Sequence, residues 1–62
     1  MMFTTYYNSK NAWLVNAIIE TEDLSLCWYT FVNALGDTMV AVSGSKEEVR
    51  IFIDIYRMVG GE

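Results

Sequence analysis

The sequence lacks histidine and proline and contains a single cysteine, Cys27. Without histidine, His-dependent triads and most acid–base mechanisms at neutral pH are excluded. One cysteine cannot form an internal disulfide, and a Cys/His zinc site is not available. No glycine-rich phosphate loop is present, since Gly44 stands alone and the pair Gly60-Gly61 is predicted to end a helix. We therefore expect no enzymatic activity, no cofactor and no metal ion.

Basic residues are also scarce. The chain has eight acids and only four bases, with a formal net charge of −4. An acidic surface repels phosphate and lipid headgroups and favours basic protein partners. The two Trp, four Tyr and three Phe could stack on nucleobases, but single-strand binders combine aromatics with a basic groove. Because the bases are scattered along the chain, we expect no direct nucleic-acid binding and no membrane binding. The bases are Lys10, Lys46, Arg50 and Arg57.

No segment has the pattern of an export signal or a membrane span. Residues 1–7 lack the basic flank and apolar core of a signal peptide. The longest apolar stretch, residues 12–19, is interrupted by Asn16 and too short to cross a bilayer. Cys27 lies within an apolar strand, where we expect it to be buried or half-buried, and a lone thiol suits a reducing compartment. These features predict a cytoplasmic protein.

The length of 62 residues predicts a single domain over residues 1–62, near the lower limit for a self-sufficient core. Small domains are often stabilised by disulfides, metals or oligomerisation, and here oligomerisation remains. Segments rich in Thr, aromatic and β-branched residues predict strands at residues 2–7, 12–20, 24–32 and 38–43. Turns are predicted at residues 8–11, 21–23 and 33–37, the last with Gly36 available for a positive φ.

Residues 12–20 admit two interpretations. Leu14, Ala17 and Ile18 match helical spacing, with Asn11 as a possible cap. The alternation typical of a strand is equally visible, and we favour it. The fold is then α+β, a small antiparallel β-meander of three to four strands with one C-terminal α-helix packed on one face. The alternating residues are Trp13, Val15, Ala17 and Ile19.

The strongest local signal is the capping box Ser45-Lys46-Glu47-Glu48, which predicts a helix beginning after Ser45. The apolar residues of this helix form two ridges, whereas a helix that faces the core needs only about one. We expect the second ridge to meet another protein. The first ridge consists of Val49, Phe52, Ile53 and Tyr56. The second consists of Ile51, Ile55 and Met58.

The predicted sheet is also apolar on both sides. The helix-facing side would carry Trp13, Val15, Ile19, Leu26, Trp28, Val32, Val40 and Val42. The reverse side would carry Leu14, Ile18, Tyr29, Phe31 and Met39, and a patch of this kind marks an interface more often than a free surface. We predict a homo-oligomer, a dimer, whose interface consists of Ile51, Ile55, Met58, Tyr29 and Phe31. The alternative is that a curved sheet and the N-terminal strand cover both surfaces.

Five acids should gather at one end of the molecule, because direction alternates along a meander. The acidic pole is defined here as Glu20, Glu22, Asp23 and Glu47, with Glu48 beside it. The pole is either a solvated turn next to acids that favour a helix N-terminus, or a knob that docks on a basic, nucleic-acid-handling surface of a protein partner. A weak divalent-ion site is a third reading, although the spacing matches no EF-hand loop.

In type, small acidic chains without catalytic groups resemble phage-encoded inhibitors of host enzymes or defence complexes, including anti-CRISPR proteins, although no motif points to one family. The resemblance implies inhibition by occluding a functional surface of a larger macromolecule. We therefore predict a non-catalytic, self-associating protein-interaction module. The alternative is a structural subunit of a larger hetero-assembly, and a small-ligand or ion-binding module is a third possibility.

Overall fold

The computed structural model describes residues 1–60, which contain three strands and two helices. The elements are β1 (Met2–Asn8), a 3₁₀ turn (Ser9–Asn11), α1 (Ala12–Thr21), β2 (Cys27–Val32), β3 (Thr38–Ser45) and α2 (Lys46–Met58). The predicted α+β class is confirmed.

The three strands form one sheet in the order β1-β3-β2, with both outer strands antiparallel to β3. The predicted meander is wrong. In a meander consecutive strands are neighbours, whereas here α1 carries the chain from one edge of the sheet to the other. The parallel strands β1 and β2 therefore flank β3, which is a split β-α-β arrangement followed by α2.

The strand predicted for residues 12–20 is wrong, since this segment belongs to α1. Val15 and Ile18 are buried in the core at helical spacing, whereas Trp13 is 71% exposed. Asn11 precedes the helix, but its side chain makes no capping bond. Its amide Nδ2 donates instead to the hydroxyl of Tyr56 on α2, at 2.7 Å. Packing against α2 thus decides between two patterns that the local sequence supports almost equally.

The end of α1 has the geometry of a Schellman motif. The amide of Leu24 donates to the carbonyl of Ile19 at 3.1 Å, and that of Asp23 donates to Glu20 at 3.3 Å. Asp23 has a φ of 52°, in the left-handed region where glycine is the usual residue. An aspartate here stands in an unfavourable backbone conformation.

The predicted C-terminal helix and its cap are confirmed. Ser45 Oγ accepts a hydrogen bond from the amide of Glu48 at 3.3 Å. The carboxylate of Glu48 accepts from the backbone amide of Ser25 at 2.6 Å, so it also ties the loop before β2 to α2. The first ridge is turned inward: Val49, Phe52 and Tyr56 are buried and Ile53 is half-buried. The core joins these residues with Val15, Ile18, Leu26, Val40 and Val42.

Strand β2 begins at Cys27, three residues later than predicted. The preceding Leu26 is buried, and its side chain occupies the space that a Cβ on Gly44 would need. Gly44 lies within β3. Because it has no side chain, Leu26 can pack into the core beside it. The predicted turn after β2 is confirmed, and Gly36 adopts a φ of 86°.

Candidate protein-interaction surfaces

The helix-free side of the sheet is an uncharged surface with aromatic side chains from both outer strands. Val40 and Val42 of β3 point into the core, so the alternate residues of β3 and their cross-strand partners point away from the helices. We call this surface the reverse face. Its three cross-strand rows are Thr4-Ser43-Cys27, Tyr6-Ala41-Tyr29 and Asn8-Met39-Phe31.

The aromatic side chains of the reverse face contact one another. The ring centroids of Tyr6 and Phe31 lie 5.6 Å apart with an edge-to-face angle of 72°. Tyr29 and Phe31 are separated by 6.2 Å. Ala41 is completely buried between Tyr6 and Tyr29, yet those two tyrosines are 58% and 54% exposed. The surface is therefore ordered by its own contacts but still offers apolar area to a partner.

The sequence correctly assigned Tyr29, Phe31 and Met39 to the reverse face. It wrongly assigned Leu14 and Ile18, which lie on α1. It also missed Tyr6, because the face of β1 could not be assigned without knowing that β1 pairs with β3. The expected burial of Cys27 is wrong: the thiol is exposed, since β2 is an edge strand and no helix covers this side.

The second ridge of α2 does not form one continuous surface. Ile51 is 46% exposed and Met58 is 80% exposed, in keeping with the predicted surplus of apolar surface. Ile55 instead packs against the core and lines a groove between α1 and α2. A charge introduced at Ile55 would therefore disturb folding as well as any interface, which makes Ile51 and Met58 better positions to test.

The C-terminus of α1 and the N-terminus of α2 lie towards the same end of the sheet, because α1 reverses the chain direction as the predicted strand would have done. The bond between Glu48 and the amide of Ser25 brings the segment after Asp23 beside the first turn of α2. Glu20, Glu22, Asp23 and Glu47 are all exposed. The helix dipoles affect these acids differently. Glu47 lies at the N-terminus of α2, where the dipole favours a negative charge, whereas the other three lie at the C-terminus of α1, where it disfavours one. Glu20 nevertheless accepts a hydrogen bond from the side-chain amide of Asn16 at 2.7 Å, an i, i+4 pair that stabilises α1 locally.

Candidate chemistry is sparse in the part of the chain that the structure describes. Among residues 1–60 no group of three or more Cys, Asp or Glu side chains is arranged to hold a metal ion. Every buried side-chain N or O atom within these residues has a hydrogen-bond partner. No helix in this range is both long and apolar enough to span a bilayer.

No family model matches the sequence, and neither the curated proteins nor the solved structures contain a match.

Proposed function

We propose that this chain is a non-catalytic protein-interaction module that self-associates through the reverse face. The observation that carries the proposal is the uncharged aromatic surface around Tyr6, Tyr29 and Phe31, which the helices leave open. The faces of two such sheets can pack about 10 Å apart with interdigitating side chains. A dimer would cover the apolar surface that a single copy leaves in water.

The expected affinity is modest. A face three strands wide and about six residues long has a flat area on the order of 300 Å² per copy, so the accessible surface it can bury falls short of the roughly 800 Å² per partner of a standard interface. The dimer should therefore dissociate on dilution. Contacts of Ile51 or Met58 with a further partner would add to this area.

Sedimentation equilibrium over a wide concentration range tests the proposal. We expect a reversible monomer–dimer equilibrium that Tyr29→Lys shifts to monomer, because a charge on the reverse face cannot be buried without a partner. Trp13→Lys is the matched control, since Trp13 is also exposed but lies on α1. A wild-type chain that stays monomeric at every concentration, or a dimer that Tyr29→Lys leaves intact, would refute self-association through this face. A chain that aggregates without a discrete dimer would favour the alternative, a subunit of a hetero-assembly.

We further propose that the acidic pole binds a basic surface of a larger macromolecule and inhibits it by occlusion, in the cytoplasm. Glu22 and Asp23 support this role, because exposed acids just after the last turn of α1 are unfavourable to its helix dipole. The triple variant Glu20→Lys, Glu22→Lys, Asp23→Lys should stay folded, because the favourable charge at the C-terminus of α1 offsets the lost bond between Asn16 and Glu20, and it should lose its partner in pull-downs from the native host. Asp37→Lys, an exposed acid in the β2–β3 turn, is the control. If the triple variant captures the partner as well as wild type does, the acidic pole is only a solvated turn.

A further inference from the structure

A groove between β1 and α2 runs along an edge of the sheet on the helix-facing side. Its apolar lining consists of Phe3, Val49 and Ile53, and its volume is about 330 Å³. It shares Ile53 and Arg57 with a smaller hollow of about 160 Å³ beneath Tyr56. We call the two together the edge groove.

The rim of the edge groove is basic, although the protein as a whole is acidic. Lys46, Arg50 and Arg57 line it, and Asp54 is the one acid beside them. The ammonium of Lys46 lies 5.9 Å from the centroid of the Phe3 ring. Three of the four bases in the chain are thus collected along one side of α2. The sequence suggested scattered bases because it could not show that this side of the helix faces an open sheet edge.

Strand β1 offers unpaired backbone groups beside that rim. In the β2–β3 turn the amide of Asn33 donates to the carbonyl of Asp37 at 2.9 Å. Antiparallel pairs alternate between bonded and non-bonded, so the register places Met39, Ala41 and Ser43 in bonded pairs with β2. The intervening residues of β3 then bond to Phe3, Thr5 and Tyr7. By the same alternation the outward backbone groups of β1 belong to Met2, Thr4, Tyr6 and Asn8.

We infer that the edge groove binds an extended, acidic segment of another protein, which adds to the sheet as a fourth strand beside β1. The outward N–H and C=O groups of β1 would pair with the segment's backbone. Alternate side chains of the segment would point into the groove, where carboxylates meet Lys46, Arg50 and Arg57 and apolar groups contact Phe3 and Ile53. The charge of the rim selects the segment, and the strand edge fixes its conformation.

A second copy of the chain fits this site poorly. Pairing of β1 with β1 around a two-fold axis would bring the same set of bases from both copies together, and like charges at an interface are unfavourable. None of the three strands carries an acidic residue, so no strand of a second copy supplies the required charge. A nucleic acid would meet the bases but would leave the strand's hydrogen-bonding groups unused, and the net charge of −4 opposes it.

Titration with the acetylated peptide Glu-Thr-Val-Thr-Glu, whose alternate positions offer both carboxylates and an apolar side chain to the groove, tests the inference at low ionic strength. We expect saturable binding with a dissociation constant on the order of 100 μM, because one added strand buries little area. In NMR spectra of the labelled protein, the amides of Thr4 and Tyr6 should exchange rapidly when free and become protected on binding. The same peptide with Lys in place of Glu, and a single-stranded oligonucleotide, are the competing probes.

Two sets of variants separate the charge from the strand edge. The double variant Arg50→Glu, Arg57→Glu should weaken binding by about tenfold or more, whereas Lys10→Glu, outside the groove, should change it little. Thr4→Pro removes an outward N–H that the ladder does not use and should abolish binding. Thr4→Ala loses the same hydroxyl contact with Ser43 but should bind normally.

The inference is overturned if the acidic peptide fails to bind, if the Lys peptide or the oligonucleotide binds as tightly, or if the double variant leaves the affinity unchanged. It does not depend on self-association, so the Tyr29→Lys variant should bind the acidic peptide as wild type does. If the wild type is a monomer that binds the peptide, only the proposed dimer is refuted. If it is a dimer that does not bind the peptide, only the proposed role of the edge groove is refuted.

Discussion

Replacing Phe52 with alanine should remove a large part of the stability of this domain. Phe52 is completely buried, and its ring centroid lies 5.7 Å from that of Tyr7 and 6.0 Å from that of Tyr56. Truncating a buried phenylalanine to alanine costs about 3–5 kcal/mol. At roughly 0.05–0.15 kcal/mol per residue, a chain of this length has a free energy of unfolding of only about 3–9 kcal/mol. Where the wild type has about 5 kcal/mol or less, the variant should be partly or fully unfolded in buffer, and a more stable domain would lose about a third or more of its stability.

The adjacent residue supplies the matched control. Ile51 is 46% exposed, and its replacement by alanine loses little buried area while alanine has the higher helix propensity. We expect a change of about 0.5 kcal/mol or less in the free energy of unfolding. Phe52→Leu retains part of the ring's volume and should lose about 1–2 kcal/mol, which keeps a folded variant measurable. Urea unfolding followed by circular dichroism gives all three values. Equal losses for Phe52→Ala and Ile51→Ala would refute the assignment of the two ridges.

Three further substitutions and one labelling experiment test particular local features. Gly44→Ala should destabilise by about 1–3 kcal/mol because the new Cβ meets Leu26, and Leu26→Ala in the same chain should make the glycine substitution nearly neutral, as thermal unfolding would show. Asp23→Gly should stabilise by roughly 0.5–1 kcal/mol by relieving the left-handed conformation, whereas a loss of stability would contradict the Schellman geometry. Ser45→Ala should cost about 1 kcal/mol through the lost cap of α2, with Ser43→Ala as a comparison outside the cap. The exposed Cys27 should react with a thiol reagent in the folded protein and react more slowly at concentrations where the reverse face is covered; a rate independent of concentration would argue against that interface.

The sequence alone determined those features that depend on neighbouring residues. The Ser45 cap of α2, the inward ridge of α2 and the turn at Gly36 follow from local hydrogen bonding, helical periodicity and backbone preference, and all are present. The reciprocal half of the predicted capping box is not formed, since the carboxylate of Glu48 contacts the amide of Ser25 and the hydroxyl of Ser45 instead. The faces of β2 and β3 were also predictable, because alternation along a strand does not depend on which strand lies beside it. Tyr29, Phe31 and Met39 therefore appear on the side that the pattern indicated.

Only the tertiary structure decided the features that depend on residues far apart in sequence. Residues 12–20 carry both a helical and an alternating pattern, and α1 forms because Val15 and Ile18 can pack into the core beside α2. That helix moves β2 to the opposite edge of the sheet, which exposes Cys27 and assigns Tyr6 to the reverse face. The edge groove likewise joins the rim of α2 to Phe3, more than forty positions away. The energy of packing between distant segments favoured one of several local conformations of similar stability. That energy cannot be read from any single stretch of the sequence, because it depends on two segments at once.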